Sequence, residues 1–284
     1  MRVLITGTSG QLGAEIARQL SARHAAIGLD ARPGRWTTHV ASLLDRAVVG
    51  PLLRGVDAVV HTASLHAPHL GERSNQDFVD VNVTGTLGLL EGATRAGVRR
   101  FVYTSTTSLY GFALVPTDRA VWVTEDLVPR PRDIYDRTKL AAEGLCRQFA
   151  RDAGLEVACL RAARFYPEPP DRLAWYRLYR GVDVRDAARA HLLALERPGL
   201  GFGVFNIAAR SPFTPADLPH LLRDAPAVVR RVVPEVANAF AQRGWPLLPS
   251  IDRVYVIERA ETSLGYRPRH NAADYLHEHR RAQV

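Results

Sequence analysis

The chain has 284 residues, 46% hydrophobic and 23% charged, which is the balance of a folded globular protein with room for a sizeable core. No apolar run approaches the ~18 residues of a membrane span. The formal charge of +8 is spread over scattered arginines without a basic run or interleaved aromatics, which argues against nucleic acid as a partner. Cys146 and Cys159 lack metal-ligand spacing and read as core residues of a reducing compartment.

In chain order, residues 2–7 predict a strand entered directly from the first residue, with no room for a signal peptide, so the cytoplasm is the expected compartment. Residues 10–24 predict a helix and 25–30 a second strand. Then 43–56 read as helix, 57–63 as buried strand, 75–97 as one long helix and 99–106 as strand. A helix over 134–154 and a strand over 155–164 follow. Continuous apolar strands alternating with helices imply an α/β fold, a doubly wound parallel sheet covered on both faces. Prolines become denser from Pro167, and the alternation weakens past Ser211. The expected division is a large domain at 1–210 and a small C-terminal lobe at 211–284.

The first strand runs into Thr6-Gly7-Thr8-Ser9-Gly10-Gln11-Leu12-Gly13. Glycines 7, 10 and 13 between a strand and a helix N-terminus form an anion cradle, where backbone can approach a pyrophosphate. The second strand ends in Asp30, a carboxylate suited to the ribose diol of NAD and repelling the extra phosphate of NADP; Arg32 keeps NADP open.

Of the 37 basic residues, Lys139 alone is a lysine. Arginine is a permanently charged fork, whereas lysine is a compact charge whose pKa moves readily, so a position that resists arginine points to a need for an ammonium group. Tyr135 precedes it by one helical turn, which puts both side chains on one face.

These stretches, with "DAVVHTAS", "VNVTGTLGLLE", "FVYTSTTSLYG", "VDVRDAARAHLLAL" and "GVFNIA" in the same order, resemble the extended short-chain dehydrogenase/reductases, the NAD-dependent epimerase/dehydratase family. The resemblance implies a Rossmann-type fold with a small substrate lobe. Tyr135 would be the general acid/base and Lys139 its partner, which also holds the nicotinamide ribose. Thr106 would bond the reacting oxygen, with Ser105 and Thr107 as substitutes. Asn82 would either orient the catalytic groups or pack its helix. The cofactor would contact Gly7, Ser9, Gly10, Gln11, Leu12, Gly13, Asp30, Arg32, Leu43, Thr62, Ala63, Ser64 and Thr104, besides Tyr135 and Lys139. Leu43 falls where the family packs adenine, with Ser42 in place of the usual Asp.

Three departures narrow the expectation. Thr107 and Ser108 stand where dehydratases of the family carry an Asp-Glu pair. The connection from Tyr166 to Asp186 is short for a nucleotide-sugar grip. The segment "PEPPDR" resembles that of uronate dehydrogenases, which bind a sugar carboxylate with an arginine; Arg172 is the nearest candidate, with Arg164 and Arg177 behind it. Thr107, Arg164 and Arg172 are therefore the substrate-binding candidates. His61, His66 and His69 lack an accompanying ligand set, so no metal is expected, and His191 reads as a packing residue. The expected activity is NAD(P)-dependent hydride transfer at a secondary alcohol or ketone of a sugar or sugar acid. A nucleotide-sugar epimerase and a non-catalytic NAD(P)-binding regulator are the alternatives, and a homodimer is the expected assembly.

Overall fold

The computed structural model describes residues 1–281. Its strands are β1 (Arg2–Thr6), β2 (Ala25–Asp30), β3 (His39–Val40), β4 (Ala58–His61), β5 (Arg100–Thr106), β6 (Val121–Val123), β7 (Glu156–Ala162), β8 (Phe202–Ile207) and β9 (Arg253–Tyr255). Seven form one sheet in the order β3-β2-β1-β4-β5-β7-β8, and β6 pairs with β9 in a separate parallel ribbon. The pairs β1–β2, β1–β4, β2–β3 and β4–β5 are all parallel. Strands β1 and β4 are buried apart from Arg2, with Val, Leu, Ile and Ala through their middles, as expected when helices cover both faces. The strand order reverses between β1 and β4, so the connections diverge there and open a crevice at the carboxyl ends.

The first helices are α1 (Gln11–Leu20), α2 (Arg46–Leu52), α3 (Asn75–Val79) and α4 (Gly85–Arg95). Next come α5 (Ile134–Ala153), α6 (Pro170–Tyr176) and α7 (Val184–Glu196). The C-terminal portion adds α8 (Leu218–Arg223), α9 (Ala225–Val232), α10 (Pro234–Gln242), α11 (Glu258–Leu264) and α12 (Ala272–Arg281). Asp133 caps α5 by accepting from the Asp136 backbone N–H, and Gly154, at φ 65°, ends it in the left-handed conformation. The single helix expected over 75–97 is broken: Asp80–Thr84 form a π-helical turn between α3 and α4. Helix α2 begins later than expected because Asp45 caps it, and it ends earlier, at Leu52, ahead of Gly55 at φ 69°.

The chain groups into two compact units. One comprises Met1–Leu109, Pro131–Arg161 and Ala188–Phe205; the other comprises Tyr110–Arg130, Ala162–Ala187 and the chain from Asn206 on. A single cut at residue 210 would assign 110–130 and 162–187 to the larger domain. Their contacts instead join them to the C-terminal portion, as the β6–β9 ribbon illustrates. The first core gathers Leu4, Leu29, Val59, Leu89, Phe101 and Cys159, the second Trp175, Leu221, Val229, Phe240 and Ile251.

Candidate active site

Gly7 has φ 81°, and a Cβ there would lie 2.5 Å from Thr62 Oγ1 and 2.7 Å from the Ala63 nitrogen. At Gly13 a Cβ would meet the Gly7 carbonyl at 2.1 Å. Both glycines are thus required for the turn to lie against β4. Gly10 caps α1 without a side-chain bond, and the first turn of α1 holds no acidic residue. The free N–H groups of this ten-residue helix are the donors a pyrophosphate would take. Asp30 accepts from the Ser9 N–H at 2.9 Å and from the Arg32 N–H at 2.9 Å, so the glycine turn and the end of β2 hold one another. Ser9 Oγ donates to the Arg32 carbonyl, and Thr62 Oγ1 to the Thr6 carbonyl, both at 2.7 Å. Leu12 is buried and Gln11 exposed. Leu43 packs toward α4 so closely that a Cβ on Gly85 would lie 2.8 Å from its Cδ2. The cradle, the carboxylate and the uncapped helix fit the pyrophosphate and ribose of a dinucleotide.

Helix α5 turns Tyr135, Thr138, Lys139, Ala142 and Glu143 to its buried face. Tyr135 is 7% exposed and Lys139 3%. The Lys139 ammonium donates to the Thr104 carbonyl at 2.6 Å and lies 4.3 Å from the centre of the Tyr103 ring. Burial lowers Lys139 to about 8, with the Glu143 carboxylate opposing the shift. Thr104 Oγ1 shares a 2.8 Å hydrogen bond with His191 Nε2, so His191 does more than pack: it fixes the residue that receives the lysine. Thr106 Oγ1 accepts from the Ser108 N–H at 3.1 Å, and Thr107 is buried in the following turn.

Asn82 sits in the π turn, 1% exposed. Its Oδ1 accepts from the Leu65 N–H at 2.8 Å, and its Nδ2 donates to the Leu65 carbonyl at 2.9 Å and to Thr138 Oγ1 at 3.0 Å. Thr138 in turn donates to the Tyr135 carbonyl at 2.9 Å. One amide therefore joins the loop after β4, past Ala63 and Ser64, to the helix turn carrying the tyrosine. The same turn steers His61. Thr86 donates to the Asn82 carbonyl at 2.7 Å, so it receives the His61 Nε2–H at 2.9 Å, while Nδ1 accepts from Thr6 at 2.7 Å. That bonding specifies the neutral imidazole, and burial lowers His61 to about 3. His66 and His69 meet edge to face, 4.4 Å between centres. Among the described residues no cluster of three His, Cys, Asp or Glu is arranged for a metal ion.

The substrate candidates divide. Thr107 lies in the first unit, while Arg164 and Arg172 lie in the second. Arg164 is ion-paired with Glu168 and sits over the Tyr166 ring. Arg172 is 41% exposed, 3.8 Å from Asp171. Arg177 is buried and committed to Asp183 and to the carbonyls of Leu173 and His270, which removes it as a ligand.

Two features escaped the sequence reading. Arg132 donates to Ser108 Oγ at 3.0 Å and to Asp136 Oδ2 at 3.3 Å, bracing the turn after Thr106 against the start of α5. Glu143 and Arg161 form a buried ion pair at 2.7 Å. The available signal was spacing: Glu143 falls on the apolar face of α5, one turn past Lys139.

Sheet order, glycine cradle and the Tyr-x-x-x-Lys helix define a Rossmann-type dinucleotide-fold protein of the short-chain dehydrogenase/reductase kind. The chain belongs to the NAD dependent epimerase/dehydratase family, whose model matches residues 3–173. It is 28% identical over 264 residues to GDP-6-deoxy-D-mannose reductase of Pseudomonas aeruginosa, covering 84% of each chain. It is 30% identical to dTDP-glucose 4,6-dehydratase of Streptomyces antibioticus, over 82% of this chain and 71% of that one. Other relatives are longer: the chain spans 39% of the uncharacterized protein y4nG of Sinorhizobium fredii. Among solved structures, a short-chain dehydrogenase/reductase superfamily protein from Agrobacterium tumefaciens with bound NAD superposes with a TM-score of 0.75, at 25% identity, over 100% of this chain and 97% of the other.

Proposed function

We propose that the protein is an NAD-dependent oxidoreductase acting at a secondary alcohol or ketone of a sugar or sugar acid. The observation that carries this reading is the buried Lys139 ammonium, one helical turn beyond Tyr135 and bonded to the end of β5. A free tyrosine, pKa ~10, is a poor base at neutral pH; a fixed positive charge nearby stabilises the phenolate and brings it toward the working range. Tyr135 then exchanges a proton with the reacting oxygen, and Thr106 holds that oxygen by a hydrogen bond. The glycine turn and Asp30 would hold NAD, which would supply the hydride acceptor. Asn82 and Arg132 keep Tyr135, Thr106 and the loop past Ala63 in register.

Thr107 and Ser108, in place of two carboxylates, argue against dehydration. The 21 residues from Tyr166 to Asp186 leave little chain for gripping a nucleoside diphosphate, and this favours a nucleotide-free substrate. Of the two arginines expected to meet an anionic group, Arg164 is neutralised by Glu168 while Arg172 is 41% exposed, which favours Arg172. The kinship with GDP- and dTDP-sugar enzymes supports a second reading, a nucleotide-sugar epimerase that retains its NAD between two hydride transfers. Incubating the protein with NAD and free sugar acids, then with nucleotide sugars, separates the two: net NADH formation marks the first and isomerised product without it the second. Half-buried Val79, Val83 and Leu87 on the α3–α4 segment and Leu140 on α5 support a homodimer through these helices, which light scattering tests. Two free, buried cysteines are in keeping with the cytoplasm.

A further inference from the structure

Glu143 follows Lys139 by one turn of α5, and the two are 5% and 3% exposed. Its Oε1 accepts from Ser105 Oγ at 2.5 Å and from Arg161 Nε at 3.0 Å; its Oε2 accepts from Arg161 Nη2 at 2.7 Å. This is a two-pronged guanidinium–carboxylate contact, the geometry that fixes an acid in place most firmly. Two successive residues of β5 thus tie to α5, Thr104 through Lys139 and Ser105 through Glu143, immediately before Thr106. A buried ion pair is weak support for stability, because desolvation offsets most of its attraction, so its place beside Lys139 asks for another role.

The groups that act on Lys139 come from four elements and from the loop after β4, where the half-buried His66 feels the Lys139 charge and is itself lowered, chiefly by burial. His61 on β4 is neutral, and Tyr103 on β5 offers its ring face. Cys159 on β7 is a thiol that burial pushes well above its usual range, and Cys146 lies on α5 itself. Glu143 is the carboxylate of the set, with Arg161 on β7 behind it.

We propose that Glu143 is a positioning residue for the Tyr135–Lys139 pair: fixed by Arg161 and Ser105, its carboxylate holds Lys139 as an ammonium ion at the Thr104 carbonyl. The proposal rests on the functional reading above, in which that ammonium serves Tyr135. Without the carboxylate, burial would drive Lys139 toward the neutral amine, and the remaining Arg161 charge would push the same way.

The solitary lysine provides the test. Protein grown on lysine labelled with carbon-13 at Cε gives one side-chain signal, whose shift follows the ammonium directly, without substrate or cofactor. The wild-type midpoint is expected near 8. Glu143→Gln keeps the shape of the side chain and should lower that midpoint by about one pH unit or more, while Glu143→Asp restores it in part. A folded Glu143→Gln protein with an unchanged midpoint overturns the proposal. If that variant does not fold, Arg161→Gln makes the test with opposite sign: Lys139 becomes the sole cation beside Glu143, its midpoint rises, and a static or falling midpoint overturns the proposal. Turnover by Tyr135→Phe is read separately, and full activity there would sink the functional reading while leaving the titration result intact.

Discussion

Lys139 is held at about 8 against an ordinary 10.5, so the unfolded chain binds a proton more readily than the folded one between those values. Below about pH 8 the buried ammonium therefore destabilises the fold, and the penalty is relieved as pH rises toward 10.5. The net penalty amounts to about 3 kcal/mol, burial being the cause and the Glu143 carboxylate opposing it. Lys139→Met is accordingly predicted to raise the thermal unfolding midpoint at pH 7 while abolishing turnover; a less stable variant contradicts this account. His61 shows the complementary case. Its folded value near 3 lies below the usual 6.5, so the stability it contributes is complete above 6.5 and is lost as pH falls toward 3. Urea unfolding at pH 7 and 5 should show about 2 kcal/mol lost from this group, and a His61→Asn variant should lack that part of the slope. At this scale the sequence was informative where chemistry is local: Tyr135, Lys139 and the glycines announce themselves by spacing. Glu143 and Arg161 stayed hidden because the acid and its guanidinium sit on different elements, and single residues on apolar faces look like surface charges until packing is known.

Elements were legible where one periodicity ran uninterrupted. Strands β1, β2, β4, β5 and β7 follow from apolar runs, and α5 from its 3.6-residue pattern. The π turn at Asp80–Thr84 was not legible, since residues 75–97 keep helical spacing throughout. What breaks the helix is tertiary: the Asn82 amide satisfies both backbone groups of Leu65, and the wider turn lets it reach Thr138 as well. Asn82→Ala strands buried donors and acceptors on two segments, so it should cost about 1–3 kcal/mol, measured by denaturant unfolding. Turnover should fall as well, because the Tyr135 turn and the loop past Ala63 lose their common anchor. A variant as stable and active as the native protein would show that the π turn holds itself.

For the whole molecule, the doubly wound parallel sheet could be foreseen from strand alternation, but its strand order and the grouping of 110–130 and 162–187 with the C-terminal portion could not. The grouping depends on pairings such as Val121–Val123 with Arg253–Tyr255, whose partners are far apart in sequence. At the cofactor end, Asp30 faces the glycine turn, and a 2′-phosphate there would meet its carboxylate. Native protein is therefore predicted to bind NAD more tightly than NADP, with Asp30→Ala narrowing the gap in dissociation constants; tighter binding of NADP by the native protein would refute the assignment. The central claim is that Tyr135 and Lys139 carry proton transfer for hydride exchange with NAD. It is tested most directly by following NADH formation when native protein, Tyr135→Phe and Lys139→Arg are each given NAD and a panel of free sugar acids. The account predicts NADH from the native protein with at least one acidic sugar and none from either folded variant. Equal NADH formation by Tyr135→Phe or Lys139→Arg would contradict it.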